Sequence, residues 1–439
     1  MMRHHYHLVR LGRVALMTCL AGLIVGPTAC TRQQEDGRVE IVYSDHPYAH
    51  WMKTDRELIA LFEEANPDVR VKFVPAAEEK LLGMIAGGVP PDVWTLDHVR
   101  LPYFARRGVL MRLDDRIAAD PDVDLDACFP CTVQACKYDG HFYGLPHVFS
   151  PVCLVYNKSM FREAGVPLPT ADWTWDEFLE ACKKLTQDRD GDGRIDQFAI
   201  EIIWSHHRWP IFVWQNEGEV YDPKTDRFVM DSPEAIEAIQ FQYDLVFKHH
   251  VSPSQLDQLE GVSSQQWDIR FAEQRVAMLT STRYYLGRMK GFGGFDVGVC
   301  HMPRGRKKAT IQIGTVIMTN AKTRHPDATW RFANFLHSAR SQELAVAGGR
   351  ALPSNIAMAE KITHHPGLPP DGDPVFVEAA RYCRSKDFEI AELRRANYDA
   401  WQVFYRIPRG VISAEEACRQ FNAILNPALR RYRATGGER

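Results

Sequence analysis

Apolar positions along this chain recur with two different periods, and the order in which those periods alternate predicts an α/β fold. Val39, Ile41 and Tyr43 recur every second residue, as on a strand with one buried face. Leu58, Leu61, Phe62 and Ala65 follow at helical spacing. Asn66-Pro67 then stops the helix, because a residue before proline is pushed out of the helical region. Val69, Val71 and Phe73 return to alternation. A strand, a helix and a second strand in that order imply a parallel sheet covered by helices. Later helices announce their own starts. Thr174 and Glu177 form a capping box ahead of Phe178, Leu179, Cys182 and Leu185. Ser232-Pro233-Glu234 opens a helix with Ile236, Ile239, Tyr243 and Val246 on one face. Ser413 and Glu416 cap a last helix with Ala417, Phe421 and Ile424 inward. No low-complexity linker divides the chain and no repeat is evident, so two lobes would be joined by ordered crossings.

The N-terminus carries a different pattern. Arg3, Arg10 and Arg13 precede an apolar run over residues 14–25, then small residues, Cys30 and a polar stretch. A positive start, a short apolar core and a processing site read as an export signal over residues 1–30. The run is short for a bilayer span. Gly26-Pro27-Thr28-Ala29-Cys30 resembles a lipobox, with Pro27 where leucine is usual. Lipidation of Cys30 and membrane anchoring are therefore expected, against plain secretion.

With 439 residues the chain holds two or three domains' worth of core, and its 45% hydrophobic and 25% charged residues match a soluble globular protein. A net charge of −3 argues against nucleic acid as the main partner. Eight cysteines follow Cys30, an even number that permits disulfides in an exported chain. Cys128, Cys131 and Cys136 with His141 would make only a partial zinc knuckle, since a second ligand pair is missing. A disulfide within that loop is the better expectation.

Several blocks stand in a telling order: Pro90-Pro91-Asp92-Val93-Trp94; Gly108-Val109-Leu110; Tyr138-Asp139-Gly140 leading to Gly144-Leu145-Pro146; Tyr156-Asn157-Lys158; Phe161 with Ala164-Gly165; Trp173 to Phe178; Phe271-Ala272-Glu273 with Val276-Ala277-Met278; Phe295 to Val299; His301-Met302-Pro303; and Ile313-Gly314. Together they resemble the extracellular solute-binding proteins of carbohydrate ABC transporters, maltose-binding proteins among them, over nearly the whole mature chain. The resemblance implies a two-lobed periplasmic-binding-protein-like α/β fold that closes by hinge bending on a ligand between the lobes. Lobe one would hold residues 38–148 and 310–352, and lobe two residues 149–305 and 353–430. Crossings would fall near residues 146–153, 301–314 and 351–355. The protein would be a monomer that captures a sugar or oligosaccharide outside the inner membrane and delivers it to permease subunits, without catalysing a reaction and without an organic cofactor.

A sugar presents apolar C–H faces and a rim of hydroxyls, so its site needs aromatic platforms beside polar side chains. The chain has 10 Trp, 15 Tyr and 22 Phe to draw on. Carried over position by position, the resemblance points to Asp45 and His46 after the first strand, and to Asp97 after the strand containing Trp94. It points also to Phe149 and Ser150 at the first crossing, and to His206 and Trp209. Arg283 and Tyr284 stand where the family often has a tryptophan platform, and Tyr398 lies on a late helix. The arginine could instead meet an acidic sugar. Trp173 and Trp175 read as helix-entry packing.

Two alternatives remain at this level. A secreted glycoside hydrolase needs two opposed carboxylates, for which Asp45 and Asp97 are available, but no catalytic motif surrounds them. The same fold could take a polyamine, or ferric ion through Tyr284 and Tyr285. Separately, Asp188, Asp190, Asp192, Gly193 and Asp196 match the first nine positions of an EF-hand loop. Ala199 stands where the twelfth-position glutamate belongs, with Glu201 as a late substitute. A structural calcium there is weighed against a solvated acidic turn.

Overall fold

Two sheets organise the chain. The computed structural model describes residues 37–201, 208–253, 267–288, 295–362, 372–386, 388, 390, 393–404, 406–407 and 409–435, with side chains left undescribed at 50, 267, 268, 285, 287, 288 and 394. The strands that matter are β1 (Val39–Ser44), β2 (Val69–Phe73), β3 (Val93–Asp97), β4 (Gly144–Pro151), β5 (Cys153–Asn157) and β6 (Phe198–Glu201). They continue with β7 (Val276–Ser281), β8 (Val297–Cys300), β9 (Thr310–Thr319), β10 (Leu352–Pro353) and β11 (Cys383–Arg384).

The larger sheet runs β10-β4-β9-β3-β1-β2, with β11 pairing β9 beside it. β1 is parallel to β2 and to β3, as the opening strand–helix–strand pattern requires. β9 is antiparallel to both β3 and β4, so the sheet is mixed. The smaller sheet runs β8-β5-β7-β6. The chain steps from the larger sheet to the smaller at Val152, between β4 and β5, and returns between β8 and β9.

Period-two alternation explains how the larger sheet fills two layers at once. Ile41, Tyr43, Val71 and Ile317 face Leu58, Phe62, Phe332 and Leu336 on one side. Trp94, Leu96, Val316 and Met318 face Leu101 and Phe104 on the other. Each such aromatic or aliphatic side chain contributes about 1.5–3 kcal/mol by leaving water. The predicted caps form. Thr174 and Glu177 make the reciprocal capping box of Trp175–Leu185, while Ser232 and Ser413 accept from the third backbone N–H of their helices.

The first crossing has little room. A Cβ placed on Gly314 of β9 would stand 2.5 Å from Phe149 Cβ and 2.8 Å from the Val148 carbonyl. The β4–β9 register shifts just beyond it, so glycine here permits close passage of two backbones at a bulge.

The cysteine expectation is corrected. All eight cysteines past Cys30 are free thiols. Cys128 donates to the Asp124 carbonyl and to Ser354 Oγ, and Cys136 to the Thr132 carbonyl, so the short turn aims these thiols at different acceptors. His141 lies instead against Asp114, at 3.5 Å, and no zinc knuckle assembles.

Candidate functional site

The strand ends decide where a site can form. β1, β3 and β4 all finish on the same edge of the larger sheet, and β9 starts there. Open α/β sheets bind ligands beyond the carboxyl ends of their strands. Ser44, Asp45 and His46, then Asp97 and His98, then Phe149 and Ser150 all stand on this edge.

The floor is a buried charge network. Arg350, 2% exposed, donates to Asp45 Oδ2 at 2.6 Å and to Asp55 Oδ1 at 2.7 Å. The Tyr43 hydroxyl reaches both carboxylates at 3.2 Å. Asp45 Oδ1 accepts the His46 N–H at 2.6 Å. Burial opposes ionisation of Asp45, yet the Arg350 guanidinium holds its carboxyl below the usual range. Asp55 goes the other way: burial and the neighbouring Asp45 charge outweigh Arg350 and push it up to about 7. Burial and the Arg350 charge push His147 down to about 3, so its ring stays neutral.

Above this floor lies a wall of rings. His46 stacks on Tyr48, with centroids 4.1 Å apart and planes at 9°. Tyr48 meets Trp51 edge-on at 5.0 Å. Trp51 covers the Arg350 guanidinium at 4.9 Å, a cation–π contact that ties wall to floor. Tyr284, on the helix Arg283–Arg288 that follows β7 of the smaller sheet, touches Trp51 at 5.4 Å and Tyr48 at 6.2 Å. Rings from both sheets therefore meet over one edge.

Polar groups flank the rings. The Asp97 side chain keeps 37% of its surface exposed, while its Oδ1 accepts the Val99 N–H at 3.2 Å. Ser44 Oγ, His46 Nδ1, His98 Nε2 and His147 Nε2 are buried without a protein partner. An unmatched buried polar atom costs about 1–3 kcal/mol, so these enclosed atoms favour an ordered water beside them. His98 and His147 line one narrow cavity with Thr132, Gln312 and Thr315.

The structure divides the expected residues. His46, Asp97 and Tyr284 gather at the ring wall or along the same edge. Asp45 stands there too, but both its oxygens are taken up by Arg350, Tyr43 and the His46 amide, so it braces the site from beneath. That also removes the Asp45–Asp97 pair a hydrolase would need. Phe149 is buried against Phe129. Ser150 Oγ accepts the Arg283 N–H at 2.9 Å and is buried with it.

Two expectations are corrected. Arg283 does not face an anionic ligand. It pairs with Asp373 at 2.6 Å, donates to the Arg350 carbonyl at 2.7 Å and is buried. Trp209 is no platform either, since Phe388, Phe404 and Phe421 enclose it in the core of the smaller sheet's side. Tyr398 is exposed on the helix Arg394–Phe404, near Trp401. His206 lies outside the described residues, as does Cys30, and so does the side chain of Tyr285. Trp173 and Trp175 pack at the helix entry, against Phe178 and Phe241.

Tyr48, Trp51, Asp55 and Arg350 escaped the sequence reading. For Asp55 a signal existed, because it shares a helix face with Leu58 and Phe62 and is thus a carboxylate aimed at the core. Arg350, after two glycines, gives none.

The acidic turn keeps part of its expected form. Asp188, Asp190 and Asp196 each offer an oxygen within 4.8 Å of one another, the one such grouping among the described residues. Asp192 instead accepts the Arg194 N–H at 2.7 Å. Glu201 is not a late ligand, because it is buried on β6 and paired with Arg270 at 3.0 Å.

A two-sheet α/β body, crossed by its own chain and carrying an aromatic and polar edge, defines a two-lobed binding protein. The chain belongs to the bacterial extracellular solute-binding protein family, whose model matches residues 48–343. A maltotriose-binding protein from Pyrococcus abyssi is 24% identical over 320 residues, covering 70% of this chain and 64% of that protein. An arabinooligosaccharide-binding protein from Halalkalibacterium halodurans is 24% identical over 264 residues, covering 58% of this chain and 56% of its own length. The chain thus spans less than two thirds of these curated relatives. An ABC substrate-binding protein from Listeria monocytogenes, solved in complex with cycloalternan, superposes with a TM-score of 0.76 at 26% identity, covering 89% of this chain and 99% of that one. The sugar-binding protein MalE from Xanthomonas citri superposes with a TM-score of 0.73 at 20% identity, covering 91% and 100%.

Proposed function

We propose that this chain is the substrate-binding component of an ABC importer, capturing a sugar or oligosaccharide outside the inner membrane and delivering it to a permease. The observation that carries the reading is the ring wall of His46, Tyr48 and Trp51, met from the other sheet by Tyr284 and flanked by Asp97. Aromatic faces match the C–H faces of a sugar, and the partly exposed Asp97 carboxylate can accept from its hydroxyls. The names of the relatives and the Listeria structure, with its bound cycloalternan, support the same ligand class.

Residues 38–148 and 310–352 then act as one lobe and residues 149–305 and 353–430 as the other, bending at the crossing beside Gly314. The protein works as an exported monomer, anchored by a lipid on Cys30, and releases its ligand chemically unchanged. Calcium on Asp188, Asp190 and Asp196 serves stability and not capture.

Calorimetry against maltodextrins and arabinooligosaccharides tests the proposal. Tyr284→Ala should cost about 1–3 kcal/mol of binding, the worth of burying one large apolar side chain. Asp97→Ala should cost a similar amount, about 1.5–3 kcal/mol, through a lost hydrogen bond to a charged acceptor. Unchanged affinity in both variants would remove this site, and appearance of cleaved sugar with the wild type would remove the binding-protein reading.

A further inference from the structure

Two rings of the wall, one from each sheet, are referred to a single residue, Arg350. Trp51 lies over its guanidinium at 4.9 Å. Tyr284 follows Arg283, whose Nη1 donates to the Arg350 carbonyl at 2.7 Å and to the Ala351 carbonyl at 3.4 Å. The rest of Arg283 is held as firmly. Its Nε donates to Asp373 Oδ1 at 2.6 Å and its Nη2 to Asp373 Oδ2 at 3.4 Å, in the helix Gly372–Ala380. Its backbone N–H donates to Ser150 Oγ at 2.9 Å, and that hydroxyl donates in turn to the Pro151 carbonyl at 3.0 Å. Arg283, Asp373, Ser150 and Arg350 are all buried. Arg283 therefore fastens the helix that carries Tyr284 to β4 through Ser150, and to the segment entering β10 through Arg350 and Ala351. Arginine suits this place because one edge of its planar fork, Nε and Nη2, meets a carboxylate and leaves Nη1 for carbonyls on the other side. A lysine carries its charge on one nitrogen and cannot span both.

These contacts close on themselves. Trp51 meets the Arg350 guanidinium, the Arg350 carbonyl meets Arg283, Arg283 is bonded to Tyr284, and Tyr284 returns to Trp51 at 5.4 Å. The first three links are covalent or involve a buried charge. The last joins two half-buried rings, so it is the link a ligand can part while the others keep the rings opposed. We propose that Arg283 is a positioning residue for capture: without touching the ligand, it sets the Tyr284 ring opposite Trp51 by tying its helix to β4 and to Arg350. Its effect on affinity rests on the sugar-capture reading above, whereas its effect on the rings does not.

Two variants test the clamp. Arg283→Lys keeps a charge beside Asp373 but loses the fork. Ser150→Ala removes the acceptor of the Arg283 N–H with no change of charge. The first readout is the indole N–H magnetic resonance of Trp51 in isotope-labelled protein without ligand, identified by its loss in Trp51→Phe. That signal senses the ring current of the neighbouring Tyr284, and Tyr284→Ala defines the shift caused by losing it. Both variants should move the Trp51 signal toward that position, while the indoles of Trp94 and Trp214, buried in separate cores, stay at their wild-type positions. A Trp51 signal at its wild-type position in both variants overturns the proposal. The second readout is calorimetry with the maltodextrin or arabinooligosaccharide that the wild type binds best. Arg283→Lys should weaken binding about tenfold, the lower end of what burying one large apolar side chain is worth. In a Tyr284→Ala background the same substitution should cost less than about twofold, because the ring it positions is gone. An equal loss in both backgrounds means a general structural role and overturns the proposal. Where Arg283→Lys fails to fold, Ser150→Ala decides by the same two readouts. A shifted Trp51 signal in a protein that binds neither class of sugar supports the positioning and counts against the sugar reading.

Discussion

Replacing Asp55 by asparagine should alter how stability depends on pH, in a direction the buried network dictates. Asp55 is fully buried, with Oδ1 held by Arg350 at 2.7 Å and by the Tyr43 hydroxyl at 3.2 Å, while Oδ2 has no partner. Arg350 must also neutralise Asp45, so one guanidinium serves two carboxylates, and burial pushes Asp55 up to about 7. The unfolded carboxyl titrates near 4. The folded state therefore holds the proton more tightly than the unfolded one. The stabilisation from that proton is complete below about pH 4, falls across the interval, and is gone above about pH 7. Three pH units at a tenfold change each amount to about 4 kcal/mol. Asp45 has the opposite sign, but its effect is lost only as pH falls below about 4, outside this window. The buried histidines His147, His301 and His337 also oppose it, since their lowered pKa values make stability rise with pH up to about 6.5. The measurement must therefore be a difference. Urea unfolding of wild type and Asp55→Asn at several values from pH 5 to pH 8 isolates the carboxyl, because the other groups are common to both. The stability of the wild type relative to Asp55→Asn should fall as pH rises to about 7 and then level off. Parallel curves across the whole range would refute the reasoning.

Three further outcomes can be checked directly. Gly314→Ala should destabilise the fold by about 1–3 kcal/mol, as overpacking between two backbones does, and a urea midpoint equal to wild type would show that β4 and β9 separate at no cost. Calcium should raise the melting temperature through Asp188, Asp190 and Asp196 without changing ligand preference, whereas melting indifferent to both calcium and chelator leaves only a solvated turn. Cys30→Ala should move the protein from the membrane fraction to the soluble one, and a wild type already soluble outside the inner membrane contradicts the anchor.

The architecture was legible because periodicity and caps are local. Val39 to Phe73 announced strand, helix and parallel strand, and Thr174 and Ser232 announced helix starts that the structure repeats. The site was legible only in part, because its parts are distant in sequence. The family resemblance picks out His46, Asp97 and Tyr284, and Asp97 is marked independently by the strand end at which it stands, where loops carry function. Asp45 follows a strand end as well, but its task is set by Arg350, 305 residues further along. Nothing local distinguishes a carboxylate offered to a ligand from one consumed by a buried guanidinium. Trp209 misled for a related reason, since a tryptophan platform and a tryptophan packed among Phe388, Phe404 and Phe421 have the same one-dimensional signature.

The contact between Trp51 and Tyr284 bears on what binding must accomplish. Trp51 belongs to the helix Ala49–Ala65 on the larger sheet, and Tyr284 to a helix following the smaller one. Their rings already satisfy each other at 5.4 Å, a contact worth about 0.5–1.5 kcal/mol beyond area burial. A sugar held between them must first separate them, so the affinity measured is the gain from two ring–sugar contacts less that one. The two rings should then be coupled. Removing either one abolishes the ring–ring contact that competes with ligand, and it also leaves the remaining ring facing a sugar covered on one side only. A double-mutant cycle of Trp51→Ala and Tyr284→Ala, read by calorimetry, should therefore show an interaction energy of at least about 0.5 kcal/mol, the size expected for residues in contact. Strict additivity would mean that the Trp51–Tyr284 contact does not give way to the ligand, so that a sugar is not held between these two rings.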